Sequence, residues 1–167
     1  MLTRRGAEVR AVRIAADFEG LAGLVIPGGE STTMLRLLER DGMDEALRAY
    51  AAQRPCFGTC AGAILLARSV TPAQSSLGLI DIDVMRNAYG RQRESAILCG
   101  PCQLPGGELE MVFIRAPRFT RVGHKVETLA TRDGEAVLVR QGHYLAASFH
   151  PELSEDPRVH DAFLEML

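Results

Sequence analysis

The fold of this chain is constrained most by the way short apolar runs alternate with helical patterns in its first half. The apolar run Gly23–Pro27 is typical of a strand that is buried on both faces. A helix is predicted directly after it, with Ser31 or Thr32 as the N-cap and Gly42 as the stop. Because strands that alternate with helices build parallel sheets, the pattern predicts a doubly wound α/β sheet with helices on both faces.

The second half changes from this rhythm to closely spaced strands. Ile80, Ile82 and Val84 alternate with aspartates, as in a strand with one face in water. The Asp133-Gly134 pair is typical of a hairpin turn. The remaining predicted elements are strands at Glu8–Ile14, around Phe57 and at Met111–Ile114, Val126–Ala130, Ala136–Val139 and Tyr144–Phe149, and helices at Asp44–Gln53, Ala61–Arg68 and from Pro157 onward, with Asp156 as the cap. We therefore expect a mostly parallel sheet with an antiparallel extension.

The composition is that of one ordinary globular domain. The 167 residues fit a single domain over 1–167, and 19 basic against 21 acidic residues give no electrostatic footprint for nucleic acid or an anionic membrane. No apolar run approaches the ~20 residues that cross a bilayer, and the residues after Met1 lack the apolar core of a signal peptide. We expect a cytoplasmic protein whose four cysteines stay reduced.

A G-x-C-x-G sequence is the sharpest chemical feature of the chain. It runs from Gly58 to Gly62 with Cys60 at its centre, between a short predicted strand and an apolar helix, as in a strand-to-helix elbow that carries a nucleophile. Small neighbours let the strand and helix approach closely, and a helix N-terminus lowers the pKa of a thiol. The alternative is a buried structural cysteine. The elbow favours a catalytic one.

A second feature supplies the base that a thiol nucleophile needs. His150 ends an apolar strand, and Glu152 lies two residues further on, where an extended chain projects it to the same side. The carboxylate can then fix the tautomer and orientation of the imidazole. The structural alternative is a surface His beside an exposed Glu. The other histidines are interpreted as structural: His124, His143 and His160.

Two further motifs carry less information. Gly28-Gly29 follows the buried strand, where paired glycines let backbone N–H groups approach a ligand, as an oxyanion hole requires. Gly-Gly turns after a strand are also common in proteins where they have no role in catalysis. Cys99-Gly100-Pro101-Cys102 has the spacing of a thioredoxin-type redox motif, but the Pro- and Gly-rich residues after it cannot propagate a helix. A zinc site would need a second pair of ligands at regular spacing, and the sequence has none. We therefore interpret this motif as a loop.

Together these features resemble the class I, triad-type glutamine amidotransferases, with Cys60, His150 and Glu152 as the triad. The segments that carry the likeness are IPGGESTTM, FGTCAGAILLA, DVMRNAYGRQ, VFIRAP and ASFHPEL. The sequences of these segments and their order, from about Gly23 to the end of the chain, resemble those of the glutaminase subunit of pyridoxal 5'-phosphate synthase. The resemblance implies a flavodoxin-like sheet.

The resemblance also implies site residues that the patterns alone do not give. The residues that would contact bound glutamine or border its site are Gly29, Glu30, Ser31, Arg86, Ile114 and Arg115. Arg86 would help to hold the polar end of the substrate, and Gly29 and Ala61 would form the oxyanion hole. Without the resemblance, Arg86 is a solvated loop charge and Ile114 a core position.

The implied activity is hydrolysis of L-glutamine to L-glutamate and ammonia, without a metal or organic cofactor in the glutaminase itself. The partner would be the pyridoxal 5'-phosphate synthase subunit, a barrel enzyme that combines the ammonia with a pentose phosphate and a triose phosphate. Two alternatives stay open. One is another Cys-His hydrolase, such as an intracellular peptidase, and the other is a truncated, catalytically deficient glutaminase that acts only as a docking module.

The second alternative rests on how the chain begins. Chains of this family normally open with a strand carrying Leu-Gln-Gly and then a helix, whereas Met1–Ala7 resembles the end of that helix. Because the first strand of a flavodoxin-like sheet is internal, we expect its absence to leave unpaired backbone groups and apolar surface in the middle of the sheet. We also expect the natural product to begin roughly twenty residues upstream of Met1.

Overall fold

A computed structural model of the chain describes residues 1–40, 42–87 and 95–167. The helices are α1 (Ser31–Leu38), α2 (Met43–Ala51), α3 (Ala61–Leu66) and α4 (Arg158–Leu164). The strands are β1 (Leu24–Ile26), β2 (Cys56–Thr59), β3 (Ala67–Thr71), β4 (Ile80–Met85), β5 (Ala96–Gly100), β6 (Leu109–Phe113), β7 (Arg118–Val122), β8 (Glu127–Arg132), β9 (Glu135–Gln141) and β10 (Tyr144–Ala147). Short 3-10 helices lie at Leu2–Arg5, Ala15–Phe18 and Pro151–Leu153.

The main sheet has five strands in the order β1-β2-β10-β9-β8. Strands β1, β2 and β10 are parallel, whereas β9 and β8 continue the sheet in antiparallel pairing. Two smaller sheets have the orders β3-β4-β7 and β5-β6. The turn between β8 and β9 has positive φ at Asp133 (51°) and Gly134 (81°), which is the geometry expected of the predicted hairpin. The predicted α/β sheet with an antiparallel extension is confirmed.

Side chains of the main sheet alternate between two cores, one on each face. Cys56 in β2 and Ala146 in β10 belong to one core, together with apolar residues of α1, α2 and α3. Phe57 and Leu145, the neighbours of these residues in sequence, belong to the other core, together with residues of α4 and β6. Because successive residues of a strand face opposite sides, helices cover both faces of the sheet, as predicted. Among the described residues, no helix is long and apolar enough to cross a membrane.

A groove of about 1080 Å³ lies beside β1, at the edge of the main sheet. Its lining is mostly apolar and includes Ile26 of β1, Leu47 of α2 and Phe163 of α4. The segment 8–13 also lines the groove and forms no strand. The groove therefore lies at the free edge of β1 rather than in the middle of the sheet, where we expect apolar surface from the sequence, and the three named side chains are themselves buried.

Several predicted boundaries are wrong. Residues 8–13 form no strand, and Ala67 and Arg68 belong to β3 rather than to the preceding helix. The helix ends early because residues 67–71 pair in parallel with β4, and this tertiary pairing overrides local helix propensity. The sequence does not predict β3, β5 or β7. The last helix begins at Arg158 with Pro157 as its N-cap, one residue later than predicted.

Candidate active site

Cys60 stands in the turn between β2 and α3. Its backbone has φ 49° and ψ −103°, a strained combination for a residue with a side chain. The N–H of Cys60 donates to the C=O of Ala147 at 2.8 Å, which ties the turn to the neighbouring strand β10. The thiol is buried at the N-terminus of α3, where the sequence places it.

Two glycines allow the strand and the helix to meet at this turn. A Cβ on Gly62 would overlap the C=O oxygen of Ile26 in β1, and one on Gly58 would lie 2.6 Å from the C=O oxygen of Gly62. Both obstacles are backbone atoms, which cannot move unless α3 separates from the sheet. The spacing of the glycines around Cys60 is therefore a packing requirement of the elbow.

His150 and Glu152 lie next to this turn. The N–H of His150 donates to the C=O of Val112 in β6 at 2.8 Å, and its Nδ1 is 2.7 Å from Oε1 of Glu152. A Cβ on Gly28 would overlap Cε1 of the imidazole and would lie 3.4 Å from Cβ of Cys60. The imidazole, the Gly28 backbone and Cys60 are therefore packed against one another. The three residues predicted as a triad are neighbours in the fold.

The charge state of this group follows from its hydrogen bonds. Hydrogen bonding to Cys60 and to Glu152 outweighs burial and raises the pKa of His150 from 6.5 to about 10. Burial disfavours the ionised form of Glu152, but its hydrogen bonds to His150 and to its own backbone prevail and lower the pKa of the carboxyl group. The imidazolium and the carboxylate are thus both charged at neutral pH. By contrast, burial alone raises the pKa of the Cys56 thiol to about 12.

Gly29 and Glu30 shape the turn between β1 and α1. Gly29 has φ 154°, within the range that favours glycine. The carboxylate of Glu30 caps α1 by accepting from the N–H groups of Thr32 (3.2 Å) and Thr33 (2.7 Å). Hydrogen bonds from these two threonines lower the pKa of Glu30 to about 2. The predicted cap, Ser31 or Thr32, is therefore wrong, because the longer Glu side chain reaches the same N–H groups.

Two further predicted site residues, Arg86 and Ser31, lie beside Glu30 in space or in sequence. Nη2 of Arg86 lies 3.8 Å from Oε1 of Glu30, and the Arg86 N–H donates to the C=O of Thr71 at 2.7 Å. Ser31 is buried, and its Oγ donates to Oε1 of Gln74 at 2.9 Å. The turn thus carries an acidic–basic pair, Glu30 and Arg86, and a separate hydrogen bond between Ser31 and Gln74. No sequence motif marks Gln74 as the partner of Ser31.

Ile114 and Arg115 follow the end of β6, close in sequence to the Val112 carbonyl that holds His150. Ile114 is 39% exposed, so it is not the core residue that its apolar side chain alone indicates. Arg115 has φ 46°, in the left-handed region. The rest of the RNAYGRQ segment, residues 88–92, lies outside the described residues.

Side chains away from the site have structural surroundings. Nε2 of His143 lies 2.9 Å from the C=O of Ala51, and the buried ring of His160 meets Phe57 edge-on. Cys99 and Gly100 are the last two residues of strand β5 rather than part of a loop, because β5 pairs with β6 along its whole length. Over the described ranges, no group of three or more His, Cys, Asp or Glu side chains could hold a metal ion.

Comparison with known proteins gives matches over the whole chain. A model described as the SNO glutamine amidotransferase family matches residues 1–167. A pyridoxal 5'-phosphate synthase subunit PdxT from Koribacter versatilis is 59% identical, over 100% of this chain and 87% of that protein. A solved glutamine amidotransferase is 47% identical with a TM-score of 0.92, over 99% of this chain and 89% of that one. A glutamine amidotransferase from Thermotoga maritima shares the fold alone, at 14% identity and a TM-score of 0.55, over 98% of this chain and 67% of that one.

Proposed function

The chain belongs to the SNO glutamine amidotransferase family, and on that premise we propose that it is the glutaminase subunit of a pyridoxal 5'-phosphate synthase. It hydrolyses L-glutamine to L-glutamate and ammonia, and passes the ammonia to the synthase subunit for vitamin B6 biosynthesis. Residues 1–167 form one glutaminase domain. The observation that carries this proposal is the packing of Cys60, His150 and Glu152 around a strained elbow.

Cys60 is the nucleophile of this reaction. It adds as the thiolate, with the imidazolium of His150 beside it, to the side-chain amide carbon of glutamine. The amide oxygen then carries a negative charge, and the backbone N–H groups of Gly29 and Ala61 donate to it. The N–H of Ala61 is suited to this role because the first N–H groups of a helix have no partner within the helix.

His150 moves the protons. It gives one to the amide nitrogen, so that the C–N bond breaks, ammonia leaves and a γ-glutamyl thioester remains on Cys60. The neutral imidazole then takes a proton from water, whose oxygen attacks the thioester and releases glutamate and the thiolate. Glu152 stays ionised throughout and holds the ring through Nδ1, so that the other ring nitrogen serves the reacting atoms.

The amino-acid end of glutamine fits the charged pair beside the turn. Glu30 carries a negative charge at neutral pH because its pKa is about 2. Arg86 places a positive charge 3.8 Å from it. The α-ammonium and α-carboxylate groups of the substrate have the opposite charges at a similar spacing. Glu30 therefore binds the ammonium group, and Arg86 binds the carboxylate.

We infer that the protein is located in the cytoplasm, because the proposed reaction needs a free thiol. Cys60 has to remain a free thiol, and the cysteines at 56, 60, 99 and 102 are all free. The cytoplasm is the compartment that keeps thiols reduced. Fractionation of cells that express the protein, with a periplasmic and a cytoplasmic marker enzyme as controls, tests the inference.

Ammonia release from glutamine, with and without the synthase subunit, tests the proposed function. Free ammonia equilibrates with ammonium and escapes, so a two-part enzyme gains when the glutaminase is active only while docked. We expect slow turnover alone and faster turnover with the synthase subunit, and none with Cys60→Ala. Equal rates with and without the subunit indicate an independent hydrolase. Turnover of peptides in place of glutamine indicates another Cys-His hydrolase, and no turnover in the complex indicates a docking module.

A further inference from the structure

Gln74 lies beside the proposed substrate site but belongs to no recognised motif. It follows β3 in a loop that Arg48 fixes by donating to the C=O of Leu77 at 2.9 Å. Oε1 of Gln74 accepts a hydrogen bond from Oγ of Ser31 at 2.9 Å. Because Ser31 is only 3% exposed, this bond joins the loop to the first turn of α1 inside the protein.

The other end of the same amide is an unsatisfied donor. Nε2 of Gln74 is buried and has no hydrogen-bond partner among the residues that the structure describes. A buried donor without an acceptor is unfavourable, and native proteins keep few of them. With Oε1 held by Ser31, the two N–H bonds of Nε2 remain without an acceptor among the described residues.

The surroundings identify the ligand group that would accept from Nε2. Ser31 is the neighbour in sequence of Glu30, which with Arg86 meets the amino-acid end of glutamine in the proposed function. The α-ammonium group cannot accept a hydrogen bond, and the side-chain carbonyl of the substrate belongs at Cys60. The α-carboxylate is therefore the acceptor that remains for Nε2 of Gln74.

On the basis of the proposed function, we infer that Gln74 is a further substrate-binding residue. Its Nε2 donates to the α-carboxylate of bound glutamine, on the side opposite to its bond with Ser31. The residue thus helps the site to select substrates with a free α-carboxylate. A donor that is already fixed in place by Ser31 and by the Arg48-held loop loses little freedom when the substrate binds.

Gln74→Glu tests this inference, because Glu keeps an oxygen for Ser31 but replaces the donor by a negatively charged acceptor. Hydrolysis is measured in the complex with the synthase subunit, for L-glutamine and for L-glutaminamide, whose α-carboxylate is replaced by a neutral amide. Hydrogen bonds to charged groups contribute roughly ten- to a hundredfold in affinity, so KM for glutamine should rise by about that factor. We expect kcat for glutamine to change by less than about twofold, and KM for glutaminamide not to rise.

The outcomes separate this inference from the proposed function. A wild-type complex that does not hydrolyse glutamine refutes the function itself. An active wild type with an unchanged KM in Gln74→Glu, or with equal losses on both substrates, overturns the inference, because a purely structural loop residue cannot tell the substrates apart. Arg48→Met is the matched control, which loosens the loop and should affect both substrates alike. If Gln74→Glu does not fold, Gln74→Met must still raise KM for glutamine more than KM for glutaminamide.

Discussion

Gly28→Ala tests the geometry of the site with a single added carbon. A Cβ at this position would overlap Cε1 of His150 and would lie 3.0 Å from its Nδ1 and 3.4 Å from Cβ of Cys60. All three atoms belong to side chains, so the added carbon acts on the reactive groups rather than on the backbone. The φ of Gly28 is not positive, so alanine can adopt the same backbone conformation without strain.

The size of the effect follows from these contacts. Nonbonded carbon atoms pack about 3.5–4.0 Å apart, so the imidazole of His150 has to move by roughly 1 Å to admit the methyl group. Its Nδ1 then leaves Oε1 of Glu152, which lies 2.7 Å away in the wild type. A misplacement of this size lowers the rate by roughly a hundredfold. The fold loses about one hydrogen bond, ~1 kcal/mol, which lowers Tm by about 2–4 °C.

The assay compares ammonia release by the Gly28→Ala and wild-type complexes, with thermal unfolding of both proteins alongside. We expect kcat to fall by about a hundredfold while Tm changes by only a few degrees. Because the added carbon acts through the imidazole, it should have little further effect in a His150→Ala background. A wild-type kcat in Gly28→Ala, or additive losses in the double variant, would refute the reasoning.

An electrophilic glutamine analogue should add its mass to Cys60, and peptide mapping that finds it on Cys56, whose thiol has a pKa of about 12, would contradict the assignment. His150→Ala should lower kcat by orders of magnitude and Glu152→Gln by less, because the second variant keeps the base but orients it poorly; near-normal ammonia release by His150→Ala would exclude the triad. NMR titration should show the His150 imidazole protonated until the pH nears its pKa of about 10, and Cys60→Ala should lower that pKa. The protonated His150 also stabilises the folded protein, because its pKa there is raised above the unfolded value of 6.5. This contribution to the free energy of unfolding is complete below pH 6.5 and is lost as the pH rises toward 10. The difference in free energy of unfolding between wild type and His150→Ala should fall over that range, and a constant difference would speak against the charged pair.

The reactive residues could be predicted from the sequence because their geometry is local. The elbow at Cys60 depends on glycines two residues to either side, and these are the positions where a Cβ would meet backbone atoms. Glu152 follows His150 by two residues; the predicted extended chain is wrong here, because Pro151–Leu153 form a short 3-10 helix, but this local turn also brings the two side chains together. A short stretch of sequence therefore contains both the requirement and the residues that meet it.

The substrate end and several strands could not be predicted in this way, because they depend on contacts between distant parts of the chain. Gln74 and Ser31 are 43 positions apart, and no sequence pattern near Gln74 predicts the hydrogen bond between them. Arg86 is reached only through the family resemblance. In the same way, residues 67–71 are extended because β4 pairs with them, whereas the sequence continues a helical pattern through Ala67 and Arg68. Glu30 as a cap depends on the length of its side chain rather than on the usual cap residues.

The reacting groups and the proposed binding site for the amino-acid end of glutamine lie in different parts of the fold. This division predicts which substitutions change kcat and which change KM. Gly28 follows β1, Cys60 follows β2 and His150 follows β10, which are three adjacent parallel strands whose register is fixed by backbone hydrogen bonds. The thiol and the groups that we propose as oxyanion donors and base therefore share one edge of the main sheet. In the proposed function, the amino-acid end of glutamine instead meets α1 and the chain after β3 and β4, which belong to a separate small sheet. Changes of the second group can alter binding without moving the reacting atoms, so Gln74→Glu should act on KM where Gly28→Ala acts on kcat.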